Sequence, residues 1–323
     1  MARTLPITDP DALELAIEAL RRGDPVAVPT ETVYGLAADA TNAEAITAIY
    51  EAKGRPRFNP LIAHVADIEM AKAQVVFSPL AEKLARAFWP GPLTLVLPLT
   101  QSATIHPLAT AGLATAAVRM PQGFARDLIA AFGQPLAAPS ANRSGRVSPT
   151  SAKHVADDLG DGIGLILDGG RCPVGVESTI LAVDGTRLQL LRPGGVAVEA
   201  IEGIAGMTVE RPLRQSGETV IAPGMLASHY APDTALRLNA SIARPGEAVI
   251  RYGGVPLKGE QEAKLVMDLS PSGDLREAAA NLFDMMKRAD AAGAVGIAVG
   301  PVPMQGLGEA INDRLSRAAA PRQ

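Results

Sequence analysis

The strongest constraint on this chain is an alternation. Short runs of β-branched residues trade places with segments of helical periodicity through most of its 323 residues. Such a pattern builds a sheet that carries helices on its faces, the α/β class. The first helix is predicted over Asp11 to Arg22, with Leu13, Ala16, Ile17 and Leu20 on one face, and Pro25 to Pro29 reads as a short buried strand. Thr41-Asn-Ala-Glu44 has the form of a capping box for a helix through Ile46, Ile49 and Ala52, which delivers Lys53 and Gly54 at its exit. Ser78-Pro79 starts a helix that reaches Phe88, and Trp89-Pro-Gly-Pro92 breaks it before a strand from Leu93 to Pro98. Further strands are predicted over 60–64, 115–120, 136–139, 163–167, 178–183 and 188–192, with helices over 124–132 and 150–159.

From Gly206 to Asp233 the periodicity lapses among Pro212, Pro223-Gly224 and Pro232, which suggests an ordered linker. A second α/β pattern follows, with strands at Ala248 to Tyr252, Leu265 to Leu269 and Val295 to Val299 and helices at Leu275 to Ala289 and Gly308 to Arg317. The expected domains are therefore residues 1–205, a linker over 206–235, and a small unit over 236–323.

Composition narrows the function. No apolar run approaches the roughly 18 to 20 residues of a membrane span, and the N-terminus lacks a signal-peptide core, so a cytoplasmic protein is expected. Cys172 is the only cysteine and the four histidines, at 64, 106, 154 and 229, are scattered, which argues against a zinc site. A net charge of −4 and 3% aromatics disfavour a dedicated nucleic-acid binder; a small anionic ligand fits better.

Polar segments gather at strand ends, where open α/β sheets bind ligands. Lys53-Gly-Arg-Pro-Arg-Phe-Asn59 concentrates cations on a stiffened loop suited to phosphate, although a solvated charge run accounts for the loop taken alone equally well. Pro29-Thr-Glu-Thr-Val-Tyr-Gly35 leaves the first strand with hydroxyls that either cap the next element or contact a ligand. Pro139-Ser-Ala-Asn-Arg-Ser-Gly-Arg-Val-Ser-Pro-Thr150 is dense in small donors, with Ser148 or Thr150 expected to cap the following helix. Arg119 ends an apolar strand and, if buried, needs an anionic partner, either an Asp or a substrate carboxylate. There is no P-loop, Gly-x-Gly-x-x-Gly, Gly-x-Ser-x-Gly or His-Glu-x-x-His motif.

Taken in order, Pro-Thr-Glu-Thr-Val-Tyr-Gly, Lys-Gly-Arg-Pro, Trp-Pro-Gly-Pro-Leu-Thr, Val-Arg-Met-Pro, Pro-Ser-Ala-Asn-x-Ser-Gly, Glu-Ser-Thr-Ile, Leu-Arg-Pro-Gly and Pro223-Gly-Met-x-x-x-His-Tyr-Ala-Pro232 resemble the YrdC-type threonylcarbamoyl-AMP synthases in their long form. The resemblance implies a large twisted mixed open sheet followed by a smaller C-terminal Rossmann-like α/β domain. It also implies a nucleotidyltransferase that makes threonylcarbamoyl-AMP and pyrophosphate from L-threonine, bicarbonate and ATP, for tRNA modification beside the anticodon. On that pattern Lys53 and Arg55 bind the triphosphate and are the catalytic residues, with Asn59, Thr115, Ser140, Asn142, Ser148 and Arg192 completing the ATP site. Threonine falls to Thr32, His64, Arg119 and Ser178, and His229 and Tyr230 belong to a flap over the site. Mg2+ is expected on the ATP phosphates, and the product passes to a tRNA-modifying transferase, with at most weak direct tRNA binding. Two alternatives remain: a carbamoyl-adenylating enzyme that uses carbamoyl phosphate, whose Cys-rich zinc motifs a lone Cys172 cannot supply, and an RNA-binding module without catalysis.

Overall fold

The structure, a computed structural model, describes residues 1–56, 58–212, 221–223 and 229–321. Its large sheet is built from β1 (Arg3–Pro6), β2 (Val26–Val28), β3 (Gly35–Asp39), β4 (Ile62–His64), β5 (Leu93–Pro98), β6 (Thr115–Arg119), β7 (Leu136–Ala137), β8 (Leu165–Asp168), β9 (Thr179–Asp184) and β10 (Arg187–Arg192). Their spatial order is β1-β8-β2-β3-β7-β4-β6-β5-β9-β10, with parallel and antiparallel pairs mixed. Helices α1 (Ala12–Arg21), α2 (Ala43–Lys53), α3 (Ile68–Gln74), α4 (Pro79–Phe88), α5 (Pro107–Thr110), α6 (Phe124–Phe132), α7 (Ala152–Leu159) and α8 (Val198–Ala205) accompany it. The smaller sheet, β11 (Leu236–Arg237), β12 (Ala248–Arg251), β13 (Leu265–Asp268) and β14 (Ile297–Val299), is parallel throughout in the order β11-β14-β12-β13. It carries α9 (Leu275–Ala291) and α10 (Leu307–Ala319). A large mixed sheet plus a small parallel α/β unit is the expected fold class.

Local chemistry explains the element ends and corrects two of the expected caps. The α2 cap is Asn42, whose side chain accepts from the Glu44 and Ala45 amides; Thr41 instead bonds to Asp39. Asn is as good a cap as Thr, and being one residue closer to the first turn it reaches two of the free amides. Gly54 ends the helix at φ 57°, a left-handed position that a side chain would strain. The cap of α7 is Ser151, not Ser148 or Thr150, because the Ser148 hydroxyl is engaged by Glu177. Six further elements, β1, β3, α3, α5, α8 and β11, carry no sequence expectation.

The two units share a core. One buried cluster joins Val33, Val147 and Val176 of the large unit to Tyr230 and to Leu282, Phe283 and Met286 of α9. Each large apolar side chain so enclosed contributes about 1.5–3 kcal/mol. The approach is closest at Gly175, where a Cβ would lie 2.4 Å from the Ala279 carbonyl oxygen and the Ala280 Cα, and where φ is +75°. Backbone cannot yield as a flexible side chain does, so Gly175→Ala is expected to lower stability by about 2 kcal/mol or more, read as a drop in Tm.

Candidate active site

A cleft opens where the C-terminal ends of β4 and β6 meet the loop after β2 and the start of β9. Its walls include Thr32, Arg55, His64, Arg119, Ser140, Glu177, Ser178 and Arg192, with Pro223, His229 and Tyr230 closing over them. Register places His64 directly beside Arg119 on the parallel β4–β6 pair. The ladder between β9 and β10 shifts register between Leu190 and Arg192, an irregularity of the kind that re-aims a side chain, and Arg192 enters the cleft there.

The two polar loops meet through Lys53. Its buried amine donates to the carbonyls of Ser140, at 2.5 Å, and Asn142, while its own carbonyl accepts from the Ser144 amide. Burial, with the Arg55 charge added, holds the lysine pKa well below its ordinary value. Arg55 donates to the carbonyls of Asn59 and Pro60, and burial lowers its pKa to about 10. Arg192 donates to the Ser178 carbonyl and hydroxyl, and Ser178 also bonds to Thr94. Among the described residues no carboxylate lies within 4 Å of the Lys53, Arg55 or Arg192 charges.

Arg119 does have such a partner: Glu31, at 2.6 Å, whose other oxygen accepts from the Gln122 amide. The sequence expectation of an Asp or a substrate carboxylate missed this pairing. Thr30 plays the turn role, donating to the Val33 carbonyl and accepting from the Thr32 and Val33 amides, while Thr32 faces the cleft. Asn59 and Asn142 are buried just behind the wall, each with a side-chain carbonyl oxygen that has no partner. Ser148 is buried against Glu177, and Thr115 sits at the opposite end of β6 from Arg119, opposite Pro98; neither lines the cleft.

Glu177 and Arg314 are the residues whose place sequence reasoning missed. Glu177 was visible inside its motif but had no partner to give it a role. Arg314 could have been noticed: it sits with Ile311, Leu315 and Ala318 at the spacing of one helix face, a charge on an apolar stripe.

A family profile described as telomere recombination, for Sua5, YciO and YrdC proteins, matches residues 18–194. The chain belongs to this family. A second profile, described as the C-terminal domain of threonylcarbamoyl-AMP synthase, matches residues 196–320. The threonylcarbamoyl-AMP synthase of Bacillus subtilis is 42% identical, across 98% of this chain and 95% of that one. The Pyrococcus abyssi enzyme of the same name is 41% identical, across 96% and 94%. The crystal structure of P. abyssi Sua5 complexed with L-threonine superposes with a TM-score of 0.87 at 38% identity, covering 99% of this chain and 97% of the other. Escherichia coli YciO, at 18% identity and a TM-score of 0.54, shares the fold of the larger unit, covering 60% of this chain and 96% of its own.

The site's electrostatics make stability fall with acid in two stages. Burial, reinforced by Arg119 at His64 and opposed in part by Glu177 at His229, lowers both histidine pKa values to about 3. Their folded pKa lies below the unfolded value near 6.5, so the unfolded chain takes the protons first, and stability drops as pH falls from 6.5 towards 3. Each histidine contributes about 1.4 kcal/mol per pH unit within that window. Burial alone would raise Glu177, but the Arg314 and Arg192 charges and the Ser148 hydrogen bond outweigh it and hold the carboxyl at about 2. Its contribution is present above pH 4.5 and is lost between 4.5 and 2. Melting curves across this range should show His229→Asn flattening the upper stage and Glu177→Gln the lower one; an unchanged slope in either variant would contradict the assignment.

Proposed function

We propose that the protein is a threonylcarbamoyl-AMP synthase, an adenylyl-transferring enzyme that joins L-threonine, bicarbonate and ATP into threonylcarbamoyl-AMP, with release of pyrophosphate and water. The observation that carries this is a cleft whose buried cations Arg55 and Arg192 have no carboxylate partner among the described residues, in a chain matched over nearly its full length by enzymes of that name. Unpaired buried cations are costly, and an anionic ligand supplies the missing charge.

Threonine and bicarbonate form a carbamate, one oxygen of which attacks the α-phosphorus of ATP while pyrophosphate leaves from the opposite side. Such a displacement needs no protein nucleophile. What the chain supplies is position and charge. We assign Arg55 and Arg192 to the phosphates, with Lys53 holding the Ser140 loop against them and adding positive potential. Ser140 offers a hydroxyl at the cleft. Arg119, held by Glu31, stands ready for the threonine carboxylate, beside His64, Thr32 and Ser178. A site lined by hydroxyls distinguishes threonine from an analogue lacking its hydroxyl more sharply than an apolar pocket would.

Among the described residues no group of three His, Cys, Asp or Glu could hold a metal ion. Magnesium still fits in the water-rich, phosphate-bound form, because the unpartnered amide oxygens of Asn59 and Asn142 are the hard donors it prefers. It would neutralise triphosphate charge. Ser148 acts from behind through Glu177, and Thr115 is left without a contact at the cleft. Residues 206–235 act as the flap through His229 and Tyr230; residues 213–220 and 224–228 lie outside the described structure. No described helix is long and apolar enough to cross a membrane, which is compatible with a cytoplasmic enzyme serving a tRNA-modifying transferase.

Pyrophosphate release should require threonine, bicarbonate, ATP and magnesium together, and Lys53→Ala should lower it by about 10²-fold, as expected for removing a group that stabilises transition-state charge. Activity that ignored threonine or bicarbonate would sink the assignment. Tyr230→Ala should release more pyrophosphate than captured threonylcarbamoyl-AMP, since an open flap admits water to a labile adenylate. Equal yields of the two products in that variant would remove the flap role.

A further inference from the structure

Arg314 lies on α10 of the C-terminal unit, yet its guanidinium is spent on the active-site wall. It is wholly buried, its Nε donates to Glu177 Oε2 at 2.7 Å, and its Nη2 donates to the Pro193 carbonyl at 3.0 Å. The guanidinium carbon lies 5.0 Å from the centre of the Tyr230 ring. Tyr230 holds φ 62°, unusual for a bulky residue, and stacks on Phe283 of α9 at 5.6 Å. Glu177 lines the same cleft as Arg192 and is itself buried.

A carboxylate in the wall of a site for a triphosphate is an electrostatic problem. Left unbalanced it repels the ligand, and it competes for Arg192, whose guanidinium is otherwise held on Ser178. We propose that Arg314 is a positioning residue for the reaction: it neutralises Glu177 from the far side of the wall, leaves Arg192 free for the nucleotide, and seats Tyr230 over the cleft. The proposal rests on the reading of function given above. It gives the C-terminal unit an indirect part in nucleotide binding, through a residue that touches no substrate. Asp313 helps to hold the guanidinium, accepting from Nη1, so the arginine is fixed from its own helix as well as by Glu177.

The test measures KM for ATP and kcat, together with Tm, for wild type, R314K, R314M and the double variant R314M/E177Q. R314M should raise KM for ATP by about tenfold or more, the factor that corresponds to 1.4 kcal/mol, with a smaller effect on kcat. In R314M/E177Q, where the stranded carboxylate has gone, KM should return to within about threefold of wild type, and so should KM in R314K, which keeps the charge. A merely structural arginine would give no such recovery on removing a second side chain. The proposal is overturned by a folded R314M with wild-type KM, or by a double variant or R314K whose KM stays about tenfold high. Should R314M fail to fold, the double variant and R314K decide it on the same terms. Wild-type protein that releases no pyrophosphate with threonine and bicarbonate would defeat the reading of function, whereas failure confined to the variants defeats only the role of Arg314.

Discussion

The site depends on one buried lysine. Lys53 ends α2 and ties that helix to the Ser140 loop twice, through its amine to two carbonyls and through its own carbonyl to the Ser144 amide. Two loops that are 87 positions apart in sequence thereby become opposite faces of one wall. Carbonyl dipoles only partly replace the hydration that the ammonium gives up, which is why its pKa falls, and Arg55 beside it adds repulsion. The fold thus holds an arrangement of like charge that it does not balance by itself, and any anion bound there adds stability that grows with the logarithm of its concentration over its Kd.

What could be read from the sequence followed from local chemistry. Ser78-Pro79 and Trp89-Pro-Gly-Pro92 bracket α4 and release β5, because capping and backbone restriction act over a few residues. β3 escaped notice since Gly35-Leu-Ala-Ala-Asp39 has no β-branched residue, and its strand character comes from pairing with β2 and β7. The α4 cap is Ser78 as expected, whereas the caps of α2 and α7 fall in the expected turns but on neighbouring residues, a choice decided by which hydroxyl or amide is free of another partner. Much of the cleft was legible because polar segments at strand ends stand out against apolar strands: Thr32, His64, Arg119, Ser140, Ser178, Arg192, His229 and Tyr230 all line it. Pairings were not legible. Glu31 meets Arg119 across 88 positions and Glu177 meets Arg314 across 137, and no periodicity carries information over that range.

The small sheet does more than extend the chain. Its helices supply the surface on which Tyr230 stacks, the backbone that Gly175 approaches, and the cation that faces Glu177. A close backbone approach, a shared apolar core and a buried ion pair are features of a domain interior rather than of a loose contact between neighbours.

Because α10 is translated after every other described element, the order of synthesis bears on when the contacts around Glu177 and Tyr230 are complete. The large sheet, with Lys53, Arg55 and Arg192, can form as it leaves the ribosome, since domains fold as units from the N-terminal side. At that stage Glu177 has no Arg314, and Tyr230 has neither the guanidinium beside it nor Phe283 beneath it. A nascent chain at that stage would therefore carry the cations of the site without the counter-ion of Glu177 or the groups that seat Tyr230.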